Sequence, residues 1–220
     1  MRNPLKIIVV GASGKMGQTL IKQILADSDL LLTGAVDQPS SNILGMDAGS
    51  LIGIKTGIMI NDDIKSVIKK GDYLIDFTRP EASIGYLTVC VKNNVKYILG
   101  TTGFSDEEKQ KISQAAKDIS ICFAPNMSVG VNLLVSLVED ATKVLHEDFD
   151  MEIIESHHSE KIDAPSGTAI RLGEAIAKTA NLNLKKNGVF HREGNINRRQ
   201  KNEIGFSTIR GGDIVGDHTV

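Results

Sequence analysis

Short apolar runs alternate with amphipathic segments through the first half of the chain. The runs are nearly continuous in hydrophobic residues, which is typical of strands buried on both faces of a sheet. In chain order they are KIIVV, LLLTGAV, DYLIDF, KYILG and ISICFAP. A further short strand is predicted near GIMI.

Helical patterns separate these strands. One helix is predicted from Gly14 to about Ala26. Another begins at Pro80, a position where proline is tolerated, and a third has the capping-box spacing of Ser105 and Glu108. The predicted helical segments after the first are DDIKSVIKK, PEASIGYLTVCVKNN and SDEEKQKISQAAKD. This alternation of strand and helix predicts an α/β fold, in which a parallel sheet is covered by helices on both faces.

The order of elements changes after Asn126. One long helical pattern comes first, followed by a strand, a helix with a capping serine, and strand-like segments broken by glycine. These segments are SVGVNLLVSLVEDATKVLHE, DMEIIESHH, SGTAIRLGEAIAKTA, GVFHREG and IGFSTIRGGDIVGDHTV. The polar stretch REGNINRRQKNE is interpreted as a solvated loop. We therefore predict an α/β domain over residues 1–126 and an α+β domain over residues 127–220.

Composition narrows the possible functions. The chain has 220 residues, a net charge of -2 and 41% hydrophobic residues, so it can form ordinary cores, and nucleic-acid binding is not expected. The apolar runs are too short to span a bilayer, and we expect no cleavable signal. Cys90 and Cys122 lie in apolar segments without metal-binding spacing, which predicts two reduced core residues in a cytoplasmic protein.

A glycine-rich turn follows the first predicted strand. Gly11, Gly14 and Gly17 would let the backbone approach a pyrophosphate at a helix N-terminus, although the same spacing also fits a turn without a ligand. Asp37, at the end of the second strand, can hydrogen-bond a ribose diol and would repel a 2′-phosphate. These features together predict dinucleotide binding, with NADH at least as good as NADPH. Lys15 could attract a 2′-phosphate, so both cofactors remain open.

Two more loops lie at the carboxyl ends of predicted strands, where open α/β sheets bind ligands. They are FTRP, from Phe77 to Pro80, and GTTG, from Gly100 to Gly103. Each could contact the nicotinamide half of a cofactor. Each also fits ordinary turn chemistry.

Two adjacent histidines, His157 and His158, follow a predicted strand. In extended geometry their side chains point to opposite faces, so we expect them to differ in role. A metal site is not expected, because the usual two-histidine spacings are absent. The remaining histidines look scattered along the sequence: His146, His191 and His218.

Lys161 and the sequence DAPSGTA come directly after the histidines. Ser166 is a good helix N-cap, and the N–H groups of Gly167 and Thr168 would lie at a helix N-terminus that binds carboxylates. A protonated lysine and one histidine would add charge-assisted hydrogen bonds, while the other histidine could exchange a proton near neutrality. A capped helix after a polar loop would explain the same residues. Ser166 lacks the GxSxG context of a hydrolytic nucleophile.

Six motifs, in this order along the chain, resemble those of the dihydrodipicolinate (4-hydroxy-tetrahydrodipicolinate) reductase family of bacterial lysine and diaminopimelate biosynthesis. They are GASGKMG, IDFTRPE, GTTGF, APNMSVGVN, ESHHSEKIDAPSGTA and RGGDIVGDHT. The resemblance implies that NADH or NADPH reduces a cyclic dicarboxylate to tetrahydrodipicolinate. It also implies a Rossmann-like parallel-sheet nucleotide domain, an α+β substrate and oligomerisation domain, and a homotetramer, with no metal, nucleic-acid or membrane partner.

The resemblance assigns site residues by position. His157 matches the family's proton donor and Lys161 its second catalytic residue, although the sequence does not decide which of them delivers the proton. The expected substrate-binding residues are His158, Ser166, Gly167 and Thr168. The expected cofactor-binding residues are Gly11, Ala12, Ser13, Gly14, Lys15, Met16, Gly17, Asp37, Phe77, Thr78, Arg79, Gly100, Thr101, Thr102, Ala124, Pro125, Asn126 and Met127.

The chain departs from the family pattern in two places. Gln38 stands where some relatives carry a basic residue for the 2′-phosphate, which favours NADH. The sequence ends at GDHTV inside a predicted strand, whereas family members typically continue and complete the second domain, so we expect that domain to be incomplete. The alternative functions are a non-catalytic NAD(P)-binding sensor or interaction protein on the same fold, and a dehydrogenase acting on a sugar or an amino acid.

Overall fold

The computed structural model describes residues 3–220 and divides the chain into two compact units. The first unit ends at Pro125, and the second runs from Asn126 to Val220. None of the helices between residues 3 and 220 is long and apolar enough to cross a membrane.

The first unit contains a six-stranded parallel sheet in the order β3-β2-β1-β4-β5-β6. Its strands are β1 Leu5–Val10, β2 Leu30–Val36, β3 Ile60–Asn61, β4 Tyr73–Asp76, β5 Lys96–Leu99 and β6 Ile121–Phe123. The chain adds β2 and β3 on one side of β1 and then returns to place β4 on the other side. Ligands bind in open α/β sheets where the strand order reverses, here between β1 and β4. The predicted Rossmann-like parallel sheet is confirmed.

Helices cover both faces of this sheet. They are α1 Lys15–Ala26, α2 Pro80–Asn93 and α3 Asp106–Ala115. Alternate residues of β1 enter different cores: Ile7 packs in the cluster that contains Ile21 of α1, and Ile8 packs in the cluster that contains Leu87 of α2. An apolar run such as KIIVV therefore reflects a strand buried on both sides.

The segment DDIKSVIKK was predicted as one helix, and this is wrong. It forms two 3₁₀ turns, Ile64–Ser66 and Ile68–Lys70, separated by Val67 at φ -120°. The Asp63 side chain accepts a hydrogen bond from Lys65 N at 2.9 Å and so stabilises a short turn rather than a long helix. The strand predicted near GIMI is also displaced, because β3 spans only Ile60–Asn61 and Met59 forms no more than an isolated bridge with Asp47.

The two cysteines differ in burial. Cys90 is fully buried in α2, and this burial, with a smaller effect from Asp76, raises the pKa of its thiol to about 12. Cys122 is exposed, so the prediction that both are core residues is wrong for Cys122. Cys122 lies in β6 at the edge of the sheet, paired with Ile98 of β5, which is itself only partly buried.

The second unit packs helices on a four-stranded sheet of order β10-β7-β9-β8, which confirms the predicted α+β arrangement. Its elements are α4 Val129–Leu145, β7 Met151–His157, α5 Gly167–Thr179, α6 Leu184–Asn187, β8 Gly188–Val189, β9 Ile204–Arg210 and β10 Asp217–Thr219. β7 is parallel to β9 and antiparallel to β10. Its core joins Ile153 of β7, Leu172 of α5 and Phe206 of β9.

Two details of the second unit differ from the sequence prediction. Only Gly188–Val189 of GVFHREG forms a strand, and the short helix α6 precedes it. The loop that contains REGNINRRQKNE is tied to β7, because Arg192 and Arg199 both form ion pairs with Glu152. Its polar character therefore reflects ion pairing as well as solvation.

Candidate active site

The glycine turn after β1 leaves the N-terminus of α1 open. Gly11 has φ +69°, a left-handed conformation that favours glycine. Gly14 is the N-cap of α1 and has no side chain, so no side chain caps the first-turn amides of this helix. A Cβ atom at Gly17 would overlap the carbonyl oxygen of Gly11. The helix thus approaches the turn so closely that only glycine fits at position 17.

Asp37 lies beside this turn at the end of β2. It is 5% exposed, and its carboxylate accepts hydrogen bonds from Ser13 N at 2.6 Å and from Gln38 N at 2.8 Å. The sequence predicted that the acid and the turn would serve one ligand, and the structure does bring them together. The hydrogen bond from the turn itself was not foreseen.

The loops after β4 and β5 meet the same turn. A Cβ at Gly11 would stand 2.8 Å from the Thr78 methyl carbon, and a Cβ at Gly100 would overlap the Phe77 ring. Pro80 lies 3.9 Å from the Cβ position of Gly103, which has φ +87°. FTRP, GTTG and the glycine turn are therefore packed against one another at the carboxyl ends of β1, β4 and β5.

A buried acid that the sequence analysis missed, Asp76, links these loops. Its carboxylate accepts hydrogen bonds at 2.7 Å from both the N–H and the hydroxyl of Thr78, and another from the Tyr97 hydroxyl. The Thr101 hydroxyl lies 3.4 Å from the same carboxylate, and it accepts a hydrogen bond from the Ser83 hydroxyl at 3.0 Å. Burial, reinforced by Asp76, raises the pKa of Tyr97 far above its usual value, so this hydroxyl remains a donor.

The other predicted cofactor residues are less constrained. Ala12 and Thr101 are buried, and Ala124 N donates to Leu99 O at 3.1 Å. Asn126 and Met127 belong to the second unit. Besides Gly14, the predicted cofactor residues of the first unit that are exposed are Lys15, Met16, Arg79, Thr102 and Pro125.

In the second unit, the last residue of β7 is one of the two adjacent histidines. His157 is 8% exposed, and its Nδ1 atom lies 2.5 Å from Oε2 of Glu155, two residues earlier on the same face of the strand. Burial acts to raise the pKa of Glu155, but hydrogen bonds from Arg210, His157 and Ser166 more than offset it and lower the pKa to about 2. The carboxylate therefore remains ionised beside the imidazole.

Glu155 also forms an ion pair with Arg210. It ends β9, where it is the register partner of His157, and its two Nη atoms each donate to a different oxygen of Glu155 at 2.8 Å. Arg210 Nη2 also donates to the carbonyl of Asp163 at 2.6 Å, which fixes the loop before α5. The sequence signal for both residues was present in ESHH and RGG, but nothing local showed that they meet.

The N-terminus of α5 follows directly. Ser166 Oγ accepts from Ala169 N at 3.1 Å, so the predicted N-cap is confirmed, and Ser166 N donates to Glu155 Oε1 at 3.0 Å. Gly167 is exposed and Thr168 is half-buried. Ser166 itself is 2% exposed, and its contact with a substrate stays a prediction.

His218 belongs to this cluster, although the sequence analysis described it as scattered. β10 pairs with β7 so that His218 faces Glu155 in the register, and its ring lies 5.1 Å from that of His157. His218 Nε2 lies 2.8 Å from Ser166 Oγ. Burial, with a further effect from His157, lowers the pKa of His218. The antiparallel pairing of β10 with β7 thus brings His218 next to Ser166, which lies 52 residues earlier in the sequence.

Arg210 anchors the loop between β7 and α5. His158 is the first residue of this loop, and Lys161 lies in its middle. Lys161 Nζ lies 2.7 Å from Asp163 Oδ1. Burial acts to raise the pKa of Asp163, but the hydrogen bond and the charge of Lys161 outweigh it and hold this pKa below its usual value. His158 is half-buried, and its carbonyl accepts from Lys161 N at 3.2 Å. The structure connects Lys161 to His157 through Asp163, Arg210 and Glu155.

Comparison with known proteins places this geometry in a family. The model for the N-terminus of dihydrodipicolinate reductase matches residues 5–127, and the model for its C-terminus matches residues 130–220. The chain belongs to the dihydrodipicolinate reductase family. Both halves of the family pattern are present, and the resemblance proposed from the six motifs is confirmed.

Curated members of this family are close in sequence. The chain is 53% identical to a 4-hydroxy-tetrahydrodipicolinate reductase of Nitrosomonas eutropha over 98% of this chain and 80% of that protein. A protein of the same name from Neisseria meningitidis is 49% identical, again over 98% of this chain and 80% of its own length.

Solved structures agree with the fold. A dipicolinate-bound dihydrodipicolinate reductase from Paenisporosarcina sp. TG-14 has a TM-score of 0.73 and 25% identity, covering 98% of this chain and 82% of that chain. An oxidoreductase from Agrobacterium radiobacter in complex with NAD+, L-tartaric acid and magnesium has a TM-score of 0.55 and 12% identity, covering 80% and 55%. At that identity the second likeness concerns the fold alone.

Proposed function

We propose that this chain acts as a 4-hydroxy-tetrahydrodipicolinate reductase, an NAD(P)H-dependent oxidoreductase that forms tetrahydrodipicolinate for lysine and diaminopimelate biosynthesis. Family membership across both halves of the chain supports the reaction. The observation that carries the proposal is the pairing of His157 with the buried Glu155 next to the exposed N-terminus of α5. This arrangement combines a group that can move a proton with a site that attracts carboxylates.

The first unit has the features that a dinucleotide requires. The uncapped first turn of α1 offers N–H groups to a pyrophosphate, and the absence of a side chain at Gly17 lets this helix approach Gly11 closely. The Asp37 carboxylate, which accepts from Ser13 N, lies where it could also accept hydrogen bonds from an adenine ribose diol. The bound nicotinamide supplies the hydride. The packed loops that contain Thr78 and Thr101 would lie on its nicotinamide side.

Cofactor preference follows from the charges beside Asp37. A carboxylate there repels a 2′-phosphate, and Gln38 adds no positive charge to compensate. Lys15 is exposed on the first turn of α1 and provides one opposing attraction. The proposal is therefore that NADH serves at least as well as NADPH.

The second unit would hold the dicarboxylate. The exposed N–H of Gly167 and the Thr168 hydroxyl, which accepts from Asn126 at 3.4 Å, would bind one carboxylate at the start of α5. Lys161, whose Nζ lies 2.7 Å from Asp163 Oδ1, and His158 would add charge-assisted hydrogen bonds. A neutral analogue would lose these interactions, so the site favours a carboxylated substrate.

Proton delivery is assigned to His157, with Lys161 as the second catalytic residue. Converting 4-hydroxy-tetrahydrodipicolinate to tetrahydrodipicolinate takes up one hydride and one proton and releases the 4-hydroxyl group as water. Hydride addition to the unsaturated ring leaves negative charge, which one proton from an acid balances. The Glu155 carboxylate stabilises the protonated imidazole before this transfer. Assembly as a homotetramer and location in the cytoplasm are further parts of the proposal that follow from the family.

The test is oxidation of NADH, and separately of NADPH, by the chain with freshly generated 4-hydroxy-tetrahydrodipicolinate. We expect substrate-dependent turnover, and we expect His157→Gln and Lys161→Ala each to lower kcat by about 10²-fold or more while NADH still binds. His191→Gln is the matched control, because this histidine is exposed and its side chain is hydrogen-bonded only to Glu193 among the described residues.

Two outcomes would contradict the proposal. If NADH binds tightly but no dicarboxylate stimulates its oxidation, the chain is a nucleotide-binding sensor. If His157→Gln and His191→Gln behave alike, His157 is not the proton donor.

A further inference from the structure

Glu155 is a buried charge outside the set of residues assigned to substrate or cofactor. Its side chain is 1% exposed, and its two oxygens are shared among Arg210, Ser166 N and His157 Nδ1. The hydrogen bonds from Arg210 and from Ser166 N would be enough to stabilise Glu155 if its role were only structural. The contact with His157 is the one that connects this ion pair to the proposed chemistry.

The contact determines which ring nitrogen of His157 carries the proton. An ionised carboxylate can only accept hydrogen bonds, so the nitrogen 2.5 Å from it must be protonated. The neutral imidazole has one N–H, which must then be at Nδ1. Nε2 is left as the nitrogen that gains and releases a proton.

The surroundings of Nε2 fit this role. A Cβ at Gly216 would stand 2.8 Å from Nε2, so the chain passes this nitrogen at a position that has no side chain. None of the hydrogen bonds among the described residues involves Nε2, whereas Nδ1 lies 2.5 Å from Glu155 Oε2. The ring is therefore oriented with its paired nitrogen inward and its unpaired nitrogen beside a glycine.

Arg210 keeps the proton on the ring rather than on the acid. Its two hydrogen bonds to Glu155 stabilise the ionised form of that acid, and two more, to the carbonyls of Ile209 and Asp163, fix the guanidinium in place. Without the guanidinium, a buried carboxylate would tend to take up a proton and would then donate to the ring instead of accepting from it.

We propose that Glu155 is a positioning residue that holds His157 in the Nδ1–H tautomer and leaves Nε2 as the proton-transferring atom, and that Arg210 maintains Glu155 as an acceptor. The inference rests on the proposed role of His157 as proton donor. It adds two residues that act on the reaction through His157.

The decisive measurement is the tautomer of His157 by ¹⁵N NMR of the imidazole nitrogens, at a pH where the ring is neutral. His157→Gln assigns the signals. The wild-type protein is expected to show Nδ1–H. In Glu155→Gln, the amide oxygen can take the hydrogen bond from Ser166 N, which turns the amide NH₂ toward Nδ1 and favours Nε2–H.

Kinetics give the second readout. Glu155→Gln is expected to lower kcat by about 10²-fold or more, with KM for the dicarboxylate and the Kd for NADH within a few-fold of wild type, because only the proton transfer is impaired. Glu155→Asp should recover part of kcat and the Nδ1–H tautomer. Glu152→Gln is the matched control: it also breaks arginine ion pairs on β7, but it has no contact with His157.

A folding defect would not obscure the result. If Glu155→Gln leaves Arg210 unpaired and the protein does not fold, Glu155→Gln/Arg210→Met removes both charges and keeps the site neutral. Its expected tautomer is again Nε2–H.

The inference and the proposed function fail in different ways. An Nε2–H tautomer in the wild-type protein, or unchanged kcat in a folded Glu155 variant, would overturn the positioning role. The expected tautomers together with full activity of His157→Gln would instead overturn the assignment of His157 as proton donor.

Discussion

At the scale of single residues, Glu155 makes the stability of the protein depend on pH. Its ordinary pKa is 4.5, and the folded protein lowers it to about 2 because Arg210, His157 and Ser166 stabilise the carboxylate against the cost of burial. Between these values the unfolded chain binds a proton that the folded chain does not, so stability rises with pH. The contribution is complete above about pH 4.5 and is lost as the pH falls to about 2.

We therefore predict that the difference in free energy of unfolding between wild type and Glu155→Gln is large at pH 7 and shrinks below pH 4.5. Leaving Arg210 without its partner should cost about 3–5 kcal/mol at pH 7. Urea unfolding at pH 7, 4 and 3 measures the difference. Glu174→Gln, an exposed carboxylate on α5, should show no such trend. A gap for Glu155→Gln that does not change with pH would mean that its carboxylate is not held ionised.

At the scale of elements, two helical glycines should respond to alanine in opposite directions. Alanine normally stabilises an exposed helix interior by about 1 kcal/mol relative to glycine. Gly85 on α2 has nothing within 4 Å of its Cβ position, so Gly85→Ala should stabilise the protein by about that amount. At Gly17 the added Cβ would meet the backbone of Gly11 and Ala12, which cannot move aside without opening the turn.

Gly17→Ala is thus expected to destabilise the protein by about 1–3 kcal/mol and to weaken NADH binding at least tenfold. Thermal unfolding and fluorescence titration with NADH measure the two effects, with Gly85→Ala as the matched control. Stabilisation by both substitutions would show that α1 does not need its close approach to the turn.

Elements with local signals were predictable from the sequence. Ser105 and Glu108 form the predicted capping box at α3, and Ser166 caps α5, because each cap depends on residues three positions apart. The helical pattern of DDIKSVIKK was misleading, since buried Ile64, Val67 and Ile68 reach the core from two short turns as well as from a helix. Periodicity reports which side chains are buried, but it does not distinguish these backbones.

Contacts that depend on strand pairing could not be predicted in this way. The meeting of Glu155 with Arg210 requires β7 and β9 to pair in one parallel register, and that of His218 with Ser166 requires β10 to pair antiparallel to β7. A shift by one residue would turn each side chain to the opposite face of the sheet. The sequence places His157 and Lys161 in one motif, but Arg210, which binds Glu155, and His218 come from strands far along the chain.

At the scale of the whole molecule, the two units have separate hydrophobic cores. The two clusters of the first unit contain no residue beyond Ile121, and the cluster of the second unit contains none before Leu134. All six strands of the parallel sheet, and the helices that cover both of its faces, lie before Asn126. A part of the chain with its own core and its own complete set of backbone pairs satisfies the conditions for independent folding.

We predict that a fragment of residues 1–125 folds cooperatively and binds NADH with an affinity within about tenfold of the whole chain, since the glycine turn, Asp37 and the Asp76 network all lie within it. A fragment ending at Gly103 is the control. It lacks β6 and the α3 residues Ile112 and Ala115, which pack in the core, and it should not unfold cooperatively. Circular dichroism during urea unfolding and NADH titration compare the two. Failure of the longer fragment to fold, or equal behaviour of both, would mean that the division near residue 126 does not separate two folding units.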